Sequence, residues 1–176
     1  NGFFWREKHE LDMWTAPNDC ILRPQLWDIM HEHDGSLTSA VWFPLHSKHC
    51  GADHVCMPAA IHNPDGTKSL CYSKPEEFYG EMLEALGHFP LQHFWGPLAN
   101  VKSTAWIVDS AIRAAQRFQP NLFYIYLPHL DYDLQRYGPD HPDTAKRVAE
   151  ADQAAGVVLE AADEIGAEVL VFSEYG

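Results

Sequence analysis

The run Leu122–Leu127 is shut in by proline on both sides, at Pro120 and Pro128, and nothing else in the chain constrains its fold as tightly. A helix needs about ten residues or more to hold itself, and proline stops it. A short apolar run rich in Phe, Tyr and Ile between two prolines therefore reads as a buried strand. Ahead of it, Ser103–Phe118 fits an amphipathic helix, with Ser103 as its cap and Trp106, Ile107, Ile112 and Phe118 as apolar positions. Behind it, Thr144–Ile165 carries Ala, Val and Leu at helical spacing. Gly166 stops that helix, and Glu168–Phe172 reads as a second apolar strand. Helix, strand, loop, helix, strand is the order of an α/β fold built on a mostly parallel sheet with helices on both faces. The crossover from Leu127 to Glu168 is expected to be right-handed.

The first half is less regular. Pro24 and the apolar residues Leu26, Trp27, Ile29 and Met30 predict a short helix that Gly35 ends, followed by a strand over Leu37–Phe43. From about 44 to 75 the pattern breaks down, and an irregular excursion with a turn at Asn63-Pro64-Asp65-Gly66 is expected. Pro75–Leu86 reads as a helix stopped by Gly87, and His88–Asn100 as an irregular aromatic stretch. The histidines His46, His49, His54 and His62 are spaced by 3, 5 and 8 residues. That spacing lacks the i, i+4 register of ligands on a helix, so lining a cleft suits them better than holding a metal. Phe89, Phe94 and Trp95 read first as core, and only second as a stacking platform for a base.

Function enters through the strand ends. Parallel strands deliver their carboxyl ends to one edge of the sheet, and ligands of open α/β sheets bind beyond that edge. Pro128-His129-Leu130-Asp131 follows the first strand and Ser173-Glu174-Tyr175-Gly176 the second, so Asp131 and Glu174 are brought to one crevice. Two carboxylates there suit divalent cations that clamp a phosphoryl group, although strand-end acids also cap helices and loops. Lys and Arg number 12 against 25 Asp and Glu, a formal charge of −13. Such a surface repels a polyphosphate backbone and disfavours general nucleic-acid binding, while a small anion held by cations remains compatible. No apolar run reaches the length of a membrane span. The spacings of Cys20, Cys50, Cys56 and Cys71 match no zinc finger; free thiols, the first reading, point to the cytoplasm, and a bridge such as Cys50–Cys56 or Cys56–Cys71 is the alternative.

The segment from Tyr126 through Asp131 and Gln135 to Tyr137-Gly138-Pro139 resembles the metal-binding segment of the type I phosphodiesterase/nucleotide pyrophosphatases, within the alkaline phosphatase superfamily. That family pattern is a Tyr, four residues, a metal-binding Asp, three residues, a metal-binding His, and then Tyr-Gly-Pro. Asp131 falls on the Asp. Phe89-Pro90-Leu91, Phe94-Trp95-Gly96-Pro97 and the opening Asn1-Gly2 look like further landmarks, so the resemblance runs over essentially the whole chain.

It implies an alkaline-phosphatase-like fold, with 1–176 as part of one catalytic domain truncated at both ends. It also implies two divalent ions, most often zinc, and a Thr or Ser nucleophile lying ahead of Asn1, whose amide would help hold a phosphate oxygen. The substrate so implied is a small phosphate ester or nucleotide, cleaved at a phosphodiester or pyrophosphate bond. Metal ligands carried over are Asp131 and Glu174, with His129, Gln135 and Tyr175 as further candidates. Two departures bear on the metal. Gln135 stands where the family has His, and Glu174-Tyr175-Gly176 where it has Asp-His-Gly. Beside the zinc that the resemblance implies first, these replacements are compatible with an oxygen-preferring ion such as manganese or magnesium, with a single ion or none, and with a binding relative that has left the chemistry. A phosphomutase-like or sulfatase-like member of the superfamily is a third reading.

Overall fold

The computed structural model of the chain describes residues 3–7, 9–12 and 18–173. A small antiparallel pair opens it, β1 (Phe3–Trp5) and β2 (Glu10–Asp12). Helix α1 (Leu26–His33) leads into β3 (Ser39–Trp42), and the hairpin β4 (His54–His62) and β5 (Lys68–Lys74) follows. Then come α2 (Glu77–Leu86), α3 (Val101–Phe118), β6 (Leu122–Ile125), α4 (Asp131–Tyr137) and α5 (Thr144–Glu164). The main sheet has the order β5-β4-β3-β6. Strand β3 is parallel to both of its neighbours and β5 is antiparallel to β4, so the sheet is mixed and mostly parallel.

The four residues of β3 are all buried, as a central parallel strand covered on both faces requires. On one face Trp42 meets Phe78 of α2 and Phe123 of β6 edge-on at 5.5 and 5.4 Å, and its indole N–H donates to Ser110 Oγ of α3 at 3.0 Å. Phe43, Phe89, Phe94 and Trp106 extend this core as a cluster of tilted rings. Fully burying one such side chain contributes about 1.5–3 kcal/mol. Phe89 and Phe94 are therefore core residues, as the first reading of that stretch had them. The other face of the sheet is smaller: Trp27 of α1 packs with Val41, Cys50, Ala52 and Val55.

Four expectations need correction. The stretch after β6, expected as a loop, holds the helix α4 over Asp131–Tyr137. Most of the irregular excursion at 44–75 is a hairpin, β4 and β5, turned at Asn63–Thr67 by an Asp65 carboxylate that accepts from Thr67 N and Oγ1. Pro58 disguised β4. It has no N–H to donate, and the ladder slips between Pro58 and Ile61, the kind of irregularity at which a sheet tolerates proline. The cap of α3 is Asn100, whose side chain accepts from Lys102 N, whereas Ser103 is buried inside the first turn and donates to the carbonyls of His93 and Asn100. Finally, 167–173 forms no strand. Leu170, Val171 and Phe172 are 85%, 76% and 62% exposed, and Phe172 touches Tyr124 of β6 at 5.8 Å between ring centres. An apolar run becomes a strand only where a neighbour accepts its ladder, and here it lies beside β6 without one. Among the described residues, which include all four cysteines, no disulfide forms. Nor is any helix among them long and apolar enough to cross a membrane.

Candidate functional site

The carboxyl end of β6 sits beside that of β3, where Tyr126 N donates to Trp42 O at 2.9 Å. The chain then turns through Pro128-His129-Leu130, and Asp131 N reaches Pro128 O at 3.0 Å as α4 begins. Asp131 is the first residue of that helix and is partly exposed, beside the positive end of its backbone dipole. One turn on, Gln135 Nε2 donates to Asp131 Oδ1 at 2.8 Å. Gly138 ends the helix with φ of +77°, a conformation that only glycine enters without strain, and Pro139 cannot continue the turn. The Tyr137-Gly138-Pro139 tail therefore works as a stop signal that fixes the length of α4.

Around this end lies a paired set of charges. His129 has a side chain only 3% exposed, and its Nε2 stands 2.7 Å from Glu150 Oε2 of α5. Arg147 Nη1 donates to the same Oε2 at 2.9 Å, and Arg147 Nε pairs with Asp133 Oδ2 of α4 at 2.5 Å. Burial works to raise the Glu150 carboxyl, but hydrogen bonds from Arg147 and His129 outweigh it and hold the group below the usual carboxylate range. On the far side, Arg136 donates to the carbonyl of Gly96 and, at 3.5 Å, to that of Pro97. A shallow crevice, open to solvent on one side, runs between the 93–103 segment and the start of α4. His93, Asn100, Ser103, His129 and Asp133 are among the residues that line it.

The structure thus brings Asp131, Gln135 and His129 to one edge, with the His129 ring already committed to Glu150. Asn1, Glu174 and Tyr175 lie outside the described residues. The four excursion histidines do not converge. His54 stacks on Phe118 at 3.9 Å, where burial pushes its imidazole below the usual range, and His49 pairs with Tyr72. Among the described residues no group of three or more His, Cys, Asp or Glu is placed to hold a metal ion. The donors at hand, a partly exposed carboxylate with an amide one turn away, suit part of an oxygen-rich divalent site and supply none of the imidazoles of a zinc cage. Sequence reasoning passed over Glu150, Arg147 and Asp133. The signal was there, because Arg147 and Glu150 share one face of a predicted helix at i, i+3.

The family model for the type I phosphodiesterase / nucleotide pyrophosphatases matches residues 1–176. No curated protein and no solved structure gives a significant match. With its mostly parallel sheet and a family-type segment closing the strand β6, the chain belongs to the type I phosphodiesterase/nucleotide pyrophosphatase family of the alkaline phosphatase superfamily.

Proposed function

We propose that the protein hydrolyses a phosphodiester or pyrophosphate bond in a small phosphate ester or nucleotide, with Asp131 as a cation ligand. One observation carries this reading: Asp131 opens α4 at the carboxyl edge of the parallel strands, in the segment that carries the family resemblance. Glu174 is the proposed second carboxylate, and Tyr175 and Asn1 are proposed to line the same crevice. Gln135 supports Asp131 through the 2.8 Å hydrogen bond. A divalent ion bound there would supply electrophilic polarisation of a phosphoryl oxygen. Manganese or magnesium fits the oxygen donors better than zinc. The nucleophile is proposed to be a Thr or Ser hydroxyl outside residues 1–176. It would displace the leaving oxygen at phosphorus, and water would then cleave the phosphoryl or nucleotidyl ester.

The test uses the whole protein, a chromogenic phosphodiester and added Mn²⁺ or Zn²⁺. Asp131→Ala is expected to lower kcat/KM by about 100-fold or more, the scale of losing a group that acts on the developing charge. Unchanged turnover in that variant would remove the assignment. Profiling phosphate monoesters, sulfates and phosphonates in parallel separates a phosphodiesterase from the sulfatase-like and mutase-like branches.

A second reading is favoured by a specific observation. Gln135 stands where the family has an imidazole, and the His129 ring is committed to Glu150. In that reading the protein is a binding relative without turnover. Elemental analysis after dialysis discriminates, because about two tightly held equivalents of metal per chain belong to the hydrolase.

A further inference from the structure

Helix α4 is seven residues long and has no side-chain cap at its amino end. A helix of this length does not hold itself in water, so its direction must be imposed from outside. The structure shows by what. His129, two residues before Asp131, and Asp133, two residues after it, both reach α5, at Glu150 and Arg147. These two contacts form one unit, since Glu150 Oε2 accepts from Arg147 and stands 2.7 Å from His129 Nε2. The four side chains are only 3% to 26% exposed, which limits screening by solvent and salt. The pair Arg117–Glu81 on α3 and α2 is by contrast 49% and 39% exposed, an ordinary surface contact.

We propose that Glu150 and Arg147 are positioning residues for cation binding at Asp131: through His129 and Asp133 they fix the backbone on both sides of that carboxylate. This rests on the proposed role of Asp131 as a ligand. Its chemistry is that of an outer shell, in which groups that never touch the ion hold its ligand at the right angle and distance. His129 is on this account part of the brace and not a ligand. Arg147 donates a hydrogen bond to Glu150 and faces Asp133 through charge alone, its Nε standing beside Asp133 Oδ2 without a hydrogen bond.

The test is isothermal titration of the whole protein with Mn²⁺ and, separately, Zn²⁺, without substrate. Glu150→Leu is expected to weaken cation binding about tenfold or more, the usual cost of losing an outer-shell partner. Glu150→Gln keeps an acceptor for His129 and should recover to within about threefold of the unaltered protein, while Glu150→Met, which keeps the bulk without the acceptor, should not. Glu81→Gln, which breaks the exposed pair, should leave cation affinity unchanged. If Glu150→Leu folds poorly, Arg147→Lys reports the same brace, and a weakening of about threefold or more is expected because the guanidinium that donates to Glu150 is lost. Asp131→Ala completes the set. Cation binding lost in Asp131→Ala but kept in the folded Glu150 and Arg147 variants overturns the brace alone. Binding kept in Asp131→Ala overturns both the brace and the assignment of Asp131.

Discussion

The two edges of the parallel strands use the same residue types in opposite ways. At the amino edge, Asp53 accepts from Ser39 N at 2.8 Å and Ser39 Oγ at 3.2 Å and stands 3.0 Å from His31 Nε2. Beside it, Asn121 Oδ1 accepts from Thr38 N, and Asn121 N returns a bond to Thr38 O. This Ser-His-Asp group superficially resembles a catalytic set. Its geometry is wrong for one, because Ser39 is fully buried and both Ser39 Oγ and Asp53 address the same ring nitrogen of His31. It ties α1, β3 and the start of β4 together. At the carboxyl edge the His129, Glu150, Arg147 and Asp133 side chains are also tied up, but Asp131 between them stays partly exposed. The amino-edge cluster is a lock, while the carboxyl-edge cluster leaves a carboxylate partly exposed and is, on the proposed function, a support for it.

The largest effects should cross between the edges. Asp131→Ala is expected to abolish cation-dependent turnover while shifting the melting temperature little, since its side chain is partly exposed and, among the described residues, bonded only to a neighbouring amide. Asp53→Ala should do the reverse. It leaves the Ser39 N–H buried without its acceptor, at a cost of about 1–3 kcal/mol, with turnover per folded molecule unchanged. Thermal melts and steady-state rates on both variants check the crossing. If Asp53→Ala loses turnover while remaining folded, the division between lock and support fails.

How much of this was legible in the sequence depended on what each feature needed. The helices α1, α2 and α5, the strands β3 and β6 and the glycine stops at Gly87 and Gly166 were legible because their signals are local: apolar period, proline and glycine. The hairpin was hidden because Pro58 breaks the strand pattern and the histidines His54 and His62 close its first strand. The segment 168–172 misled for the opposite reason. Its local pattern is that of a strand, but a ladder is a relation between two segments and no sequence window contains it. Asp131 was legible from its place after β6 and from the family resemblance. Of the Glu150–Arg147 brace only the i, i+3 pair itself was legible, since its members are 14 to 21 residues from the groups they hold.

The amino edge should also respond to acid. Burial raises the Asp53 carboxyl, but the Ser39 and His31 hydrogen bonds and charge outweigh it, so its folded-state value lies below the ordinary one. A group depressed in the folded state contributes its stability above the unfolded value of about 3.9, and that contribution is lost as pH falls through the folded value. Asp53→Asn removes this part of the acid limb, so its stability between about pH 5 and pH 2 should fall less steeply than that of the unaltered protein. The measurement is urea denaturation across that range. Parallel curves for the two proteins would show that Asp53 is not among the groups that set the acid limb.

The smallest effect belongs to the exposed half of the same lock. Asn121 bridges the start of β6 to Thr38 through its side chain at 2.9 Å, but the contact is open to water, so either partner can exchange the lost bond for a hydrated one. Asn121→Ala should therefore cost about 0.5–1.5 kcal/mol, below the Asp53→Ala value, because there the orphaned N–H belongs to the buried Ser39. The ranking matters more than either figure. If both variants cost the same in urea denaturation, burial is not what separates them, and the amino edge holds through hydrogen-bond number alone. If Asp53→Ala costs clearly more, the lock's strength resides in the part-buried Ser39 contact, and the Thr38–Asn121 pair serves mainly to set where β6 begins.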